Sequence, residues 1–154
     1  MKKIKLKNNL FTLVDDSDFE YLSQYKWCLH SGYALTNRAG AEKRMVYMHR
    51  LIMDAPEGME VDHINHDPLD NRRENLRVCT HSENGKNKLL PKNNTSGYKG
   101  VYPYKGKYKA SIRINGDLTY LGMYWEPEDA ARAYNNAAAI YFGEYASVNP
   151  TKEY

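Results

Sequence analysis

Residues 107–114 alternate without a break: Tyr108, Ala110, Ile112 and Ile114 fall on one side, Lys107, Lys109, Ser111 and Arg113 on the other. A period of two suits an extended strand and excludes an amphipathic helix, so the stretch predicts a half-buried strand with a basic outer face. Asn115-Gly116 follows at once. Both residues tolerate positive φ, as a type I′ turn requires, so the chain should double back into a second strand over about 118–124. Pro127 suits a first helical turn, and Glu126, Glu128 and Asp129 complement the positive end of the helix. The helix should run to about Phe142 and stop at Gly143, with Ala130, Ala133, Ala137 and Ala138 allowing close approach to a sheet. The expected unit is a three-stranded antiparallel sheet packed on one helix, with its basic face free.

The 154 residues allow one ordinary domain or two small ones. No apolar run approaches the ~20 residues of a membrane span, and no apolar stretch follows the basic start MKKIKLKNN as it would in a signal peptide. Cys28 and Cys79 form neither a disulfide framework nor a CxxC pair, which fits buried thiols in a reducing compartment. These features lead us to expect a soluble, intracellular (cytoplasmic) protein without a membrane partner. The net charge of +3 is mild, but its distribution is not. From Asn84 to Gly116 there is no acidic residue, while eight lysines and arginines accumulate; from Asp117 onward six acidic residues face two basic ones. Tyr98, Tyr102, Tyr104 and Tyr108 are interleaved with those lysines. Bases stack on aromatic faces and phosphates pair with lysines, so the interleaving points to nucleic acid rather than to a merely solvated face.

Further toward the N-terminus, short strands are expected near 3–6, 10–14, 27–29 and 46–48, with a helix over about 16–24. Residues 49–90 hold a dense run of His, Asp and Asn, and 91–95 (PKNNT) read as a linker. The expected organisation is α+β: a β-rich N-terminal segment with a module centred on 49–88, together 1–90, then the linker and a sheet-and-helix domain over 96–150. Trp27 and Trp125 are both expected in cores.

The run 49–87 carries the candidate chemistry. Hydrolysing a phosphodiester needs a base to deprotonate water and a cation to neutralise charge on the phosphate and the leaving oxygen. Asp62-His63, at the end of an expected strand over 59–63, offers a carboxylate for a hard cation beside an imidazole of near-neutral pKa. Thr80 to Glu83 reads as a capping box opening a helix near 81–89. Asn84, one turn in, is placed to turn its amide oxygen toward Asp62. Oxygen ligands suit one Mg²⁺ or Mn²⁺ rather than Zn²⁺, with His81 the rival ligand to Asn84. Asn75 lies between and is expected to fix His63 by hydrogen bonding. His49 is expected to pack structurally, and His66, Asp67 and Asp70 to form a polar loop with Asx turns. Arg72, Arg73 and Arg77 are read either as solvated charges or as phosphate contacts.

This arrangement resembles the HNH endonucleases over about 40 residues, on His49-Arg50, the Pro-Glu-Gly turn, VDHINHD, DNRRENLR and SENGKNK. The resemblance implies a ββα-metal module, with Asp62 and Asn84 on the ion, His63 as general base and Asn75 orienting it. Many relatives have histidine at the last position; asparagine here resembles the phage and intron homing branch. Residues 97–149 resemble the APETALA2/ethylene-response-factor DNA-binding domain, on SGYKGVY, GKYKASIRI, YLGMY, EDAARAYNNAA and ASVN. By position that resemblance implies DNA-facing roles for Lys99, Tyr102, Tyr104, Lys109, Ser111, Arg113 and Tyr120. Tyrosines stand at 102 and 104 and Leu118 falls near an expected arginine, so the family's usual sequence preference is not carried over. Tyrosine would instead read thymine methyls, contact phosphate or stack.

The expectation is a metal-dependent endonuclease acting on double-stranded DNA, as a monomer or weak dimer, with no small-molecule substrate. It would yield 5′-phosphate and 3′-hydroxyl ends and be encoded by a phage or mobile element. Lys107, by its place in the strand, and Lys86 and Lys88, in the segment joining the two parts, would add backbone contacts. The rivals are a non-catalytic DNA-binding regulator built on the same scaffold, and a low-specificity defence or repair nuclease.

Overall fold

Four small sheets and four helices make up the computed structural model, which describes residues 1–7, 9–37, 45–87, 90 and 94–151. Lys88 and most of the expected linker lie outside the described residues. The chain divides into two units, Met1–Asn84 and Gly85–Tyr154.

In the first unit, β1 (Lys2–Lys5) and β2 (Phe11–Val14) form an antiparallel hairpin, followed by α1 (Asp16–Leu22). Asp15 precedes this helix in an extended conformation without capping it through its side chain. Its Oδ2 accepts instead from the Arg73 backbone N–H at 2.8 Å. A three-stranded antiparallel sheet comes next, β3 (Cys28–His30), β4 (Tyr33–Asn37) and β5 (Met45–Tyr47), and leads into α2 (Met48–Met53). Then β6 (Glu60–His63) pairs antiparallel with β7 (Leu76–Cys79), and α3 (His81–Lys86) follows. The Thr80–Glu83 capping box forms reciprocally: the Thr80 N–H donates to Glu83 Oε2 at 2.8 Å, and the Glu83 N–H to Thr80 Oγ1 at 3.2 Å.

Two of these elements differ from expectation. β4 went unanticipated, and the strand expected near 46–48 gives way at Met48 to α2. That helix buries Met48, His49 and Ile52 and ends at Asp54 with φ +46°. Six residues are too few for helical periodicity to stand out in the sequence. The core gathers Ile4, Leu6, Val14, Leu22, Trp27, Met48, Ile52, Val61 and Leu76. Trp27 is 2% exposed and donates its indole N–H to the Leu22 carbonyl at 2.8 Å, so a large apolar ring is buried without orphaning its polar atom.

In the second unit, β8 (Val101–Tyr104), β9 (Lys107–Ile114) and β10 (Asp117–Tyr124) form one antiparallel sheet with β9 in the centre. Asn115 and Gly116 have φ of +50° and +96°, the positive pair that a type I′ turn demands. The helix α4 (Pro127–Phe142) packs on this sheet, with Ala130, Ala131, Ala137 and Ala138 buried against Val101, Ala110 and Ile112. Asn149 fastens the end of the chain: its side chain accepts from the Lys99 N–H at 2.6 Å and donates to the Lys99 carbonyl at 3.1 Å. Trp125 is not in this core. It is 71% exposed, lying past the last β9–β10 pair, Tyr108 with Tyr124, on the side to which the bulge between Tyr120 and Gly122 turns it, with the Lys107 ammonium 3.9 Å from its ring centroid.

Candidate active site

Asp62 and His63 are successive residues of β6, so the pleat turns them to opposite faces. On the Asp62 face, Arg77 stands directly opposite on β7 and donates to Asp62 Oδ2 from Nε at 2.9 Å and Nη2 at 2.6 Å. Both side chains are largely buried, so this is a desolvated pair rather than a surface contact. Glu60, two residues back on the same face, accepts from the Asn84 amide at 2.5 Å and meets His81 Nδ1 at 2.7 Å. Asn84 spends its NH₂ on Glu60, which leaves Oδ1 as the atom it can offer a cation. Among the described residues there is no group of three or more His, Cys, Asp or Glu that could hold a metal ion. The Asp62 carboxylate, the Asn84 amide oxygen and the neighbouring Glu60 carboxylate are hard oxygen donors, and this chemistry fits Mg²⁺ or Mn²⁺.

On the other face, His63 is packed among rings. His49 lies 5.2 Å away edge-on and Tyr33 5.8 Å away, while Tyr47 stacks on His49 at 5.4 Å. His63 Nε2 is 3.4 Å from Asn71 Oδ1. The Asn71 NH₂ is committed to Thr12 Oγ1 at 2.8 Å, and the Thr12 hydroxyl to the Leu69 carbonyl at 2.7 Å. That chain of donors turns the Asn71 oxygen toward His63, so Nε2 carries the proton and Nδ1 is the basic nitrogen. Burial holds the His63 pKa below its usual value, against an opposing pull from Asn71 and the nearby aspartates. The ring is therefore neutral at neutral pH, the form a general base requires.

Asn75 acts on the loop behind His63. Its Oδ1 accepts from the Asn65 N–H at 2.9 Å and its Nδ2 donates to the Asp70 carbonyl at 2.8 Å, closing the turn that leaves β6. The Asx turns form as expected, with Asp67 N–H on Asn65 Oδ1 and Leu69 N–H on Asp67 Oδ1. The arginines are engaged with carboxylates: Arg72 with Asp70 and Glu74, Arg73 with Asp18 through two bonds of 2.8 and 2.7 Å, and Arg77 with Asp62. Asn71 carried no assigned role in the sequence analysis. Its partner Thr12 is 59 residues away, and nothing local marks it out among the neighbouring asparagines.

In the second unit, Lys109 lies 5.8 Å from the Tyr102 ring, and Lys105 5.3 Å from that of Tyr104. Tyr102, Tyr104 and Tyr120 are exposed, and Arg113 donates to the Gly116 carbonyl at 2.6 Å. Lys86 sits over the Phe142 ring at 5.4 Å. Two expected outward residues are placed differently. Ser111 is 3% exposed, with its hydroxyl unpartnered among the described residues. The Lys99 ammonium donates to the Ser147 carbonyl at 3.2 Å and, more weakly, to that of Lys86, because the C-terminal segment is fastened alongside it.

His49 supplies a pH-dependent test of this packing. Burial is the largest cause pushing its pKa down to about 3, followed by the fields of His63 and Arg50, and its Nδ1 has no hydrogen-bond partner among the described residues. A histidine whose native pKa lies below its unfolded 6.5 contributes stability above pH 6.5 that is lost as pH falls toward 3. We expect His49 to cost about 2 kcal/mol of stability between pH 6.5 and 5. Urea unfolding read from Trp27 in a Trp125→Phe background should show that loss, and His49→Phe should remove it. Parallel pH profiles would contradict the buried neutral ring.

A family model described as HNH endonuclease matches residues 46–86, from β5 through α3. An uncharacterised HNH endonuclease of Acanthamoeba polyphaga mimivirus is 34% identical over 143 residues, spanning 90% of this chain and 74% of that protein. The chain belongs to the HNH endonucleases. Protein 3.8 of Escherichia phage T7 is 46% identical over 46 residues, 30% of this chain and 38% of that protein. As an HNH endonuclease the chain is a hydrolase acting on DNA, and the family match takes in both faces of β6 and the two elements that follow it. No helix of the described residues is long and apolar enough to cross a membrane.

Proposed function

We propose that this HNH endonuclease cuts duplex DNA with the help of one Mg²⁺ or Mn²⁺ held by Asp62 and Asn84, with His63 as general base. The observation that carries this reading is the succession of Asp62 and His63 at the end of β6, with Asn84 tied to the Asp62 side through Glu60. In-line displacement at phosphorus needs the attacking and leaving oxygens on opposite sides. His63 would serve the water, and the cation that Asp62 and Asn84 would hold would serve the departing oxygen. His63 Nδ1 takes a proton from water, the water oxygen bonds to phosphorus, and the bond to the 3′ oxygen breaks, that oxygen taking up a proton from solvent. Those bond changes leave a 5′-phosphate and a 3′-hydroxyl. Asn71 holds the imidazole tautomer, and Asn75 holds the loop that the imidazole leads into. The cation supplies positive charge for the phosphate and the departing oxygen. Arg77, already on Asp62 through two hydrogen bonds, holds that carboxylate in place.

The three-stranded sheet of the second unit, in the manner of an APETALA2/ethylene-response-factor domain, would grip the duplex. Lys107, Lys109 and Arg113 supply charge, and Tyr102, Tyr104 and Tyr120 supply aromatic surface. Lys86 would add a backbone contact. A homing or other mobile-element role agrees with the viral origin of both relatives. The test is cleavage of supercoiled plasmid in Mg²⁺ or Mn²⁺ against a chelator, with the ends analysed. We expect cleavage only with metal, and ends that a kinase labels only after phosphatase treatment. Metal-independent cleavage, or 3′-phosphate ends, would contradict the reading.

A further inference from the structure

The outer face of the second unit's sheet carries two parallel rows. On central β9, Lys107, Lys109 and Arg113 share one side, with the buried Ser111 between Lys109 and Arg113. On edge strand β10, the register sets Leu118 beside Arg113, Tyr120 beside Ser111 and Met123 beside Lys109. Trp125 completes the row beneath Lys107. A bulge between Tyr120 and Gly122 shifts the phase by one residue, which keeps Met123 on the outer face while Leu121 and Tyr124 pack inward. All four row residues are exposed. Edge strands are ordinarily protected by charge, so a row of four large apolar side chains on one is a surface that expects a partner.

The neighbouring basic row, with no acidic residue between Asn84 and Gly116, selects a polyanion. A duplex offers an apolar partner on its readable edge, the thymine C5 methyl in the major groove. Guanine is read by arginine or lysine, and the sheet's one arginine, whose planar fork suits it best, already has Nη1 on the Gly116 carbonyl. We propose that Leu118, Tyr120, Met123 and Trp125 form an apolar reading edge that selects thymine methyls in the duplex, while Lys107 and Lys109 hold the phosphates. The proposal rests on the reading of this sheet as the DNA-binding face.

The test uses the full chain in chelator, so that binding is measured without cleavage. The probes are alternating dA-dT duplex and its dA-dU counterpart, which lacks only the methyl groups. Affinity is read by anisotropy of labelled duplex, and contact by tryptophan emission. Trp27 is buried and hydrogen-bonded, so a change in emission reports Trp125. We expect the thymine duplex to bind at least about tenfold more tightly, since several methyls are buried at once. The double variant Leu118→Ser, Met123→Ser should erase that preference, whereas Lys109→Ala should weaken both duplexes alike. Equal affinity for the two duplexes, with Trp125 emission responding, would overturn methyl reading while keeping the DNA face. A methyl preference that survives the double variant would also overturn it. Absence of binding, or binding that leaves Trp125 emission and the Lys109→Ala affinity unchanged, would instead remove the DNA face itself.

Discussion

Gly100→Ala is expected to unfold the Gly85–Tyr154 unit and leave Met1–Asn84 folded. An added Cβ would lie 2.1 Å from Tyr134 Cδ2 and 2.5 Å from the Ser111 carbonyl oxygen, at a φ of +69°. Tyr134 is buried against the sheet by α4, and the Ser111 oxygen belongs to the central strand, whose N–H is itself bonded to the Gly100 carbonyl at 2.8 Å. Neither atom can retreat as a flexible chain end would. Overpacking and a left-handed backbone therefore add, and we expect a loss on the order of 3–5 kcal/mol. A unit of this size has little more stability than that. Thermal unfolding should lose the transition belonging to this unit, and DNA affinity should fall by about tenfold or more as the sheet is lost. A variant that melts like the wild type would show that the approach of Gly100 to Tyr134 is looser than described.

His63→Ala is expected to lower cleavage by about 10² to 10⁴, the usual contribution of a general base, while DNA affinity stays within about twofold. The split follows from placement. The imidazole is buried among His49, Tyr33 and Asn71, so it contributes little surface to a duplex, yet it is the neutral base nearest the Asp62 end of β6. Its depressed pKa fixes the direction of the pH profile. A base must be unprotonated, and His63 releases its proton below the ordinary 6.5. Cleavage should thus rise with pH at acidic values and already be level at neutral pH.

Much of the second unit could be read directly from residue order. The period-two run ending in Asn115-Gly116 leaves one backbone solution, and Pro127 and Gly143 bracket α4 because one suits a first turn and the other a stop. The Thr80–Glu83 box is likewise local. What could not be read depends on register and distance. Arg77 meets Asp62 only because β6 and β7 pair in one particular register, and Asn71 is oriented by a threonine 59 residues away. Trp125 was expected inside because tryptophan usually is. Its exposure follows from a bulge that displaces the phase of β10, which no pattern of residue types announced. At the candidate site the spacing of Asp62, His63, Asn75 and Asn84 was legible, while the division of Asp62 and His63 between two faces needed the hairpin.

We propose metal-dependent hydrolysis at the end of β6, with His63 as its base. The most direct measurement is a side-by-side time course of wild type and His63→Ala on supercoiled plasmid, with and without Mn²⁺. We expect nicked or linear product from wild type only when metal is present, and none from the variant on the same time scale although it still binds DNA. Equal cleavage by the two proteins would contradict it.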